Sequence, residues 1–191
     1  MNMALLIVGL VVFLGVHSIR MVAPGWRDAM IARMGEGPWK GIYSLVSLVG
    51  FVLLVWGYAI APTVVLWRPT PYWMVYVTAF LMVLAFISLA VSQVPAGRLK
   101  PRLKHPMLLA VKIWAIAHLL VNNDLASIIL FVAFLVWAGW NRIAVKRRGS
   151  PLPEAGPASN DVIAIIAGLV VWALFVWGLH KWLIGVPVPI F

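Results

Sequence analysis

Six apolar runs follow one another along the chain, at residues 3 to 22, 41 to 60, 72 to 92, 106 to 121, 125 to 142 and 162 to 183. A helix needs about 20 mainly apolar residues to cross a hydrocarbon core of roughly 30 Å, and all but the fourth run are near that length. Between them lie Pro24 and Gly25, "GEGP" at 35 to 38, "RPTP" at 68 to 71, "VPAG" at 94 to 97 and "GSPLPEAGPASN" at 149 to 160. These are helix breakers, and only the last reads as a flexible linker. No internal repeat is visible, and no alternation of period two supports a barrel. The pattern predicts an all-α fold: one domain, residues 1 to 191, built as a polytopic membrane helix bundle with about six transmembrane helices.

The first run resembles a signal peptide only in its apolarity. It has no basic leader and no small-x-small cleavage site, and its first cation, Arg20, follows the run; a retained first helix is expected.

Composition agrees with a membrane protein, since 64% of the 191 residues are hydrophobic. There are no cysteines, which excludes disulfides, zinc thiolates, iron–sulfur clusters and a thiol nucleophile. Any metal would use histidine or carboxylate. The formal net charge is +10, but the cations lie in short clusters between apolar runs, as membrane-flanking charges do, and not as a nucleic-acid face. Arg20, Arg27, Arg33 and Lys40 fall in the first connection, Arg98, Lys100, Arg102 and Lys104 in the third, and Arg142, Lys146, Arg147 and Arg148 in the fifth. The second connection has only Arg68 and the fourth has none. The positive-inside rule then puts the odd connections in the cytoplasm and both termini on the other side. Trp39, Trp67, Trp73, Trp140 and Trp182 fall near helix ends, where their rings anchor at headgroup depth.

Ionisable groups at membrane depth are costly and usually face a bundle interior or cavity. His17 lies near the end of the first run and His118 toward the end of the fourth. Two readings of this pair stand side by side. Each imidazole donates to a carbonyl in a neighbouring helix, or the two face each other as axial ligands of a haem iron. For the second reading, Leu10, Phe13 and Leu14 share the His17 face, and Val111, Trp114 and Ala115 share the His118 side. Ala115 leaves room for a macrocycle and Trp114 walls it, while Arg20 and Lys112 are the nearest cations for propionates. A common depth requires the fourth helix to begin inside the membrane, with "KHP" at 104 to 106 dipping in from the cytoplasmic side. "NND" at 122 to 124 reads as a tight turn with Asp124 capping the fifth helix. Ser44, Ser47, Ser88 and Ser92 read as bonds to helix carbonyls. His180 reads as an interfacial residue, and no serine, base and carboxylate set forms a hydrolase triad.

"GVHSIR" at 15 to 20, "YSLVSLVGFVLLVWGYA" at 43 to 59, "KHPMLLAVKIWAIAHLLVNNDLAS" at 104 to 127 and "VWAGWNRIAVKRRG" at 136 to 149 together resemble the NnrU family of bacterial membrane proteins. The resemblance spans nearly the whole chain. It implies an inner-membrane protein associated with nitrite and nitric oxide reduction, with respiratory or denitrification membrane proteins as partners besides lipid and haem. The same motifs are similar to those of the plant 15-cis-zeta-carotene isomerase, a haem b membrane enzyme, whose ligand histidines match His17 and His118. That enzyme's switching cysteine corresponds to Ala115, which argues against its ligand switch here. "HP" at 105 and 106 before an apolar helix also resembles the isoprenylcysteine carboxyl methyltransferase type, but the acidic pair of that type is missing from "KRRGSPLPE" at 146 to 154. The leading expectation is therefore a haem b protein acting in electron transfer, haem handling or sensing. A haem-dependent polyene isomerase and an S-adenosylmethionine-dependent methyltransferase are the alternatives.

Overall fold

A computed structural model describes residues 3–68, 70–149 and 151–189. In chain order the helices are α1 (Met3–Val22), α2 (Pro24–Met34), α3 (Glu36–Ala59), α4 (Trp73–Gln93), α5 (Leu99–Leu103), α6 (Pro106–Val121), α7 (Leu125–Arg147) and α8 (Ala158–Ile184). Helices α1, α3, α4, α7 and α8 are long and apolar enough to cross a membrane, and α6 is a shorter apolar helix of 16 residues. Large apolar side chains point outward along the long helices, with Val11 66%, Phe80 63% and Trp177 86% exposed. Such surfaces suit lipid and not water, so the chain is a multi-pass membrane protein. Among the described residues no strand forms, and the one β-bridge is the isolated pair Val65 and Asp124.

Two connections hold helices that the breaker pattern does not predict. Pro24 starts α2 instead of ending helix structure, because at the first helical position the missing N–H has no partner to lose. The basic stretch after Gly97 forms α5. The linker is also less free than its composition suggests. The Gly156 amide donates to the Gly97 carbonyl at 3.2 Å, and Asn160 Nδ2 donates to the Ala96 carbonyl at 2.9 Å. Asp161 accepts from the Arg98 and Leu99 amides at 2.8 and 3.0 Å.

The five long helices and α6 pack as a row in the order α3, α1, α7, α6, α4, α8. Helices α1 and α3 run antiparallel with their backbones in direct contact, because glycine stands wherever a Cβ would collide. A Cβ at Gly50 would lie 2.7 Å from the Phe13 nitrogen, one at Gly57 would meet the backbone of Leu6, and one at Gly9 would meet that of Leu54. The three pairs share one register, the small-residue packing typical of helices in lipid. Gly168 does the same for α8, where a Cβ would stand 2.7 Å from Ile87 Cα.

Polar contacts hold one end of the bundle. Asp124 caps α7 as expected, accepting from the Ser127 amide at 2.9 Å and the Ser127 hydroxyl at 2.6 Å, and Tyr58 on α3 reaches the same hydroxyl at 2.8 Å. The "NND" turn does more than reverse the chain. It holds the loop after α3: the Leu66 amide donates to the Asn123 carbonyl at 2.8 Å, the Leu125 amide to the Val64 carbonyl at 2.9 Å, and Asn123 Nδ2 to the Trp67 carbonyl at 2.8 Å.

Gly50→Ala and Gly57→Ala are each expected to cost about 1–3 kcal/mol through forced separation of α1 and α3. Gly139→Ala, where a Cβ meets nothing within 4 Å, should be neutral or stabilising by up to about 1 kcal/mol. Thermal unfolding in detergent micelles compares the three.

Candidate functional site

The basic ends of the helices enclose a cavity of about 720 Å³, within the range of roughly 300–1,000 Å³ that small-molecule sites occupy. Helix α1 contributes His17 and Arg20, α3 contributes Trp39, Lys40 and Tyr43, and α7 contributes Trp137 and Asn141, with Arg148 just past its end. The start of α6 closes it with Lys104, His105 and Pro106, and Arg27 and Lys100 come from α2 and α5. Six cations thus line the cavity against one carboxylate, Glu36, which already pairs with Lys40 at 2.9 Å. Arg27 pairs with Asp28 at 2.8 Å outside the lining set. A concave site with low-dielectric walls and this excess of one sign concentrates anions.

Aromatic rings hold His17 in place. Its ring lies 4.3 Å from Phe13, with Tyr43 at 5.4 Å and Trp137 at 6.2 Å, both edge-on. Trp137 is itself tied to α1, since Nε1 donates to Ser18 Oγ at 3.1 Å and that hydroxyl donates to the Leu14 carbonyl at 2.6 Å. His17 Nδ1 donates to the Phe13 carbonyl at 2.7 Å. A carbonyl only accepts, so Nδ1 carries the proton, and in the neutral ring Nε2 has a free lone pair. In that tautomer Nε2 can serve as a metal ligand.

The rim at Lys104 is strained. Lys104 has φ +63° and ψ −56°, and the His105 amide donates to the Leu103 carbonyl at 2.7 Å across it. This is the γ-turn of positive φ, a rare conformation that costs a residue with a side chain. It brings the Lys104 ammonium to the cavity and turns the chain sharply from α5 into α6.

The structure does not bring the remaining expected site residues to this cavity. Lys112 lies partly buried on α6, away from the lining set. Trp114 sits in the core between Phe131 at 4.9 Å and Phe134 at 5.3 Å. His118 is not opposite His17: the rings of Phe13, Phe134 and Trp114 form a continuous series between them, with steps of 5.8, 5.3 and 5.5 Å from Phe13 to His118. The reason is the register of α6. Its first residue, Pro106, lines the cavity beside His17, and His118 follows about 18 Å further along the helix axis. The fourth run's helix starts at the cavity, among the basic ends of its neighbours. Tyr43 and Trp137 belong to the site without any mark in the sequence beyond their places in the "YSLVSLVG" and "VWAGWNR" stretches. Among the described residues no group of three or more His, Cys, Asp or Glu side chains gathers.

Compared with known protein families, the chain matches the family model described as NnrU protein over residues 5–188, nearly its whole length. No curated protein and no solved structure matches.

Two outcomes follow from this geometry. Lys104→Gly is expected to keep or raise thermal stability relative to Lys104→Ala, since glycine takes positive φ without strain, while both variants bind anions more weakly; unfolding and anion-binding assays on the pair check this. Burial, and after it the cations Arg142 and Lys104, push the His105 imidazole below its ordinary 6.5. The unfolded chain therefore takes up a proton that the folded one refuses, and stability drops as pH falls below about 6.5. In detergent unfolding curves from pH 8 to 5, His105→Gln should show a shallower decline than the parent protein.

Proposed function

The chain belongs to the NnrU protein family, and on that footing we propose that it is a bacterial inner-membrane protein holding one haem b in the basic cavity, in support of nitrite and nitric oxide reduction. Both termini lie on the non-cytoplasmic side in this reading, so the cavity opens toward the cytoplasm, in line with the positive-inside rule. The observation that carries it is the meeting of His17 with a ring of cations around one apolar-walled space. Haem b is a flat apolar body with two carboxylates, and the cavity supplies each of the corresponding needs. Tyr43 and Trp137 offer apolar walls. Arg20, Lys100, Lys104 and Arg148 offer charge-assisted hydrogen bonds to propionates. His17 offers a nitrogen whose partner nitrogen is already committed to a backbone carbonyl, the usual second partner of a metal-bound imidazole.

When bound, haem b supplies a one-electron iron centre able to take nitric oxide. The chain's own contribution is to hold His17 in one tautomer, neutralise the propionates and screen one face with rings. A redox, haem-handling or sensing role uses these same features. His118 is not an axial ligand in this reading, because three aromatic rings separate it from His17.

The test is the visible spectrum of detergent-purified protein from a haem-competent host, with and without dithionite. A Soret band and a reduced α-band are expected in the parent protein and in His118→Ala, and both should vanish in His17→Ala. Lys104→Glu combined with Arg148→Glu should lower haem retention at least about tenfold, the loss of roughly 1.4 kcal/mol. A parent protein without a Soret band after haem supplementation overturns the proposal, and loss of the band in His118→Ala as well as His17→Ala restores a two-histidine iron.

A further inference from the structure

At the end of the bundle opposite the basic cavity, His118 on α6 and His180 on α8 come together with ring centroids 6.4 Å apart and ring planes within 19° of parallel. Helix α4 lies between α6 and α8 in the row, so this meeting is not a by-product of neighbouring helices. Two local irregularities serve it. A π-helical turn, Phe175–Leu179, directly precedes His180; such turns rotate the following face of a helix and recur at functional sites. Just beyond, Gly185 takes φ +83°, and the chain turns back so that the Val186 carbonyl accepts from His180 Nδ1 at 2.6 Å.

His118 is committed in the same way, its Nδ1 donating to the Trp114 carbonyl at 2.9 Å. Because carbonyls only accept, both rings carry their proton on Nδ1, and each neutral ring keeps a lone pair on Nε2. One imidazole in this state is unremarkable in a helix. Two in the same state, brought together from different helices with each Nδ1 held by a backbone carbonyl, match the way proteins orient metal-binding imidazoles.

The spacing leaves room for an ion. At 6.4 Å the centroids are too far apart for close stacking. Two metal–nitrogen bonds of about 2.0 Å plus the radius of each five-membered ring give a span of about 6 Å. The surroundings select the ion. Phe131 stacks on His118 at 4.6 Å and Trp114 lies at 5.5 Å, so the site is walled by apolar rings. No carboxylate or thiolate joins it among the described residues. Zinc asks for four ligands in a structural site. A monovalent ion content with two neutral nitrogens is less costly to bury beside aromatic rings, and among the metals that imidazole suits, copper is the one with a stable monovalent state.

We propose that His118 and His180 form a metal site that holds one copper(I) ion between their Nε2 atoms. It is separate from the basic cavity, and it rests on the reading in which His118 is not an iron ligand.

The test uses tag-free full-length protein in detergent, stripped with a chelator, reduced with ascorbate and loaded with copper(I) against a colorimetric copper(I) chelator. After desalting, about one copper per chain is expected, with an X-ray absorption edge of two-coordinate nitrogen-bound copper(I). His118→Ala and His180→Ala should each lose it, and His17→Ala should keep it whether or not that variant binds haem. Copper should raise the unfolding temperature of the parent protein and leave that of His180→Ala unchanged. If His118→Ala fails to fold, His180→Gln, at a half-buried position on the peripheral helix, carries the same comparison. The proposal is overturned by a parent protein that retains no copper, by His180→Ala or His180→Gln retaining a full equivalent, or by a site that takes zinc in preference to copper.

Discussion

Lipid tails are as apolar as leucine, so helices in a bilayer gain nothing by hiding apolar faces from one another and are held by close backbone packing and interhelical hydrogen bonds. In this protein that requirement is met most directly between α1 and α3, where Gly9, Gly50 and Gly57 remove the side chains that would hold the backbones apart. The rest of the site depends on this contact. It brings Tyr43 of α3 against His17 of α1, and the same α1 then receives Trp137 of α7 through Ser18. A bulkier residue at any of the three glycines would move His17 relative to both aromatic neighbours.

The two ends of the bundle carry different chemistry. One end collects cations around a cavity, and the other is nearly free of them. The aromatic series from Phe13 through Phe134 to Trp114 fills the depth between, and it separates two histidines that share the same hydrogen-bonded tautomer. The common tautomer has a local cause. An imidazole on a helix can turn its Nδ1 back to the carbonyl four residues earlier, as His17 does to Phe13 and His118 to Trp114. His180 reaches forward instead, to Val186, because the chain reverses at Gly185.

The spans were legible in the sequence because each is a long apolar run, and the Asp124 cap was legible because a carboxylate before an apolar run has one common use. Helix α2 was not, since Pro24 at a helix start and Pro24 as a breaker look alike without the neighbouring residues' conformation. Within the site, His17 and Arg20 stood out as ionisable groups beside an apolar run. Tyr43 and Trp137 did not, because aromatic residues are common throughout the chain and only the α1, α3 and α7 contacts select these two. That His118 does not face His17 was illegible for a different reason. Spacing along a helix says nothing of the depth at which that helix begins, and the start of α6 at the cavity rim decides the matter. The approach of His118 to His180 rests on the row order and on a π-helical turn, neither of which leaves a pattern in the residues.

The shortness of α6 has a consequence for the surrounding bilayer. At 16 residues it spans about 24 Å, whereas α4 and α7 on either side, at 21 and 23 residues, span about 31 and 34 Å. Met107 and Ile116 on α6 are 50% and 44% exposed, so this stunted helix meets lipid directly. Hydrophobic mismatch there is relieved by local thinning of the membrane or by headgroups sinking toward the start of α6. That start is also the wall of the basic cavity. Acyl-chain length in the host membrane therefore acts on the cavity mouth, and a thin bilayer favours a mouth level with the headgroups over one buried beneath them.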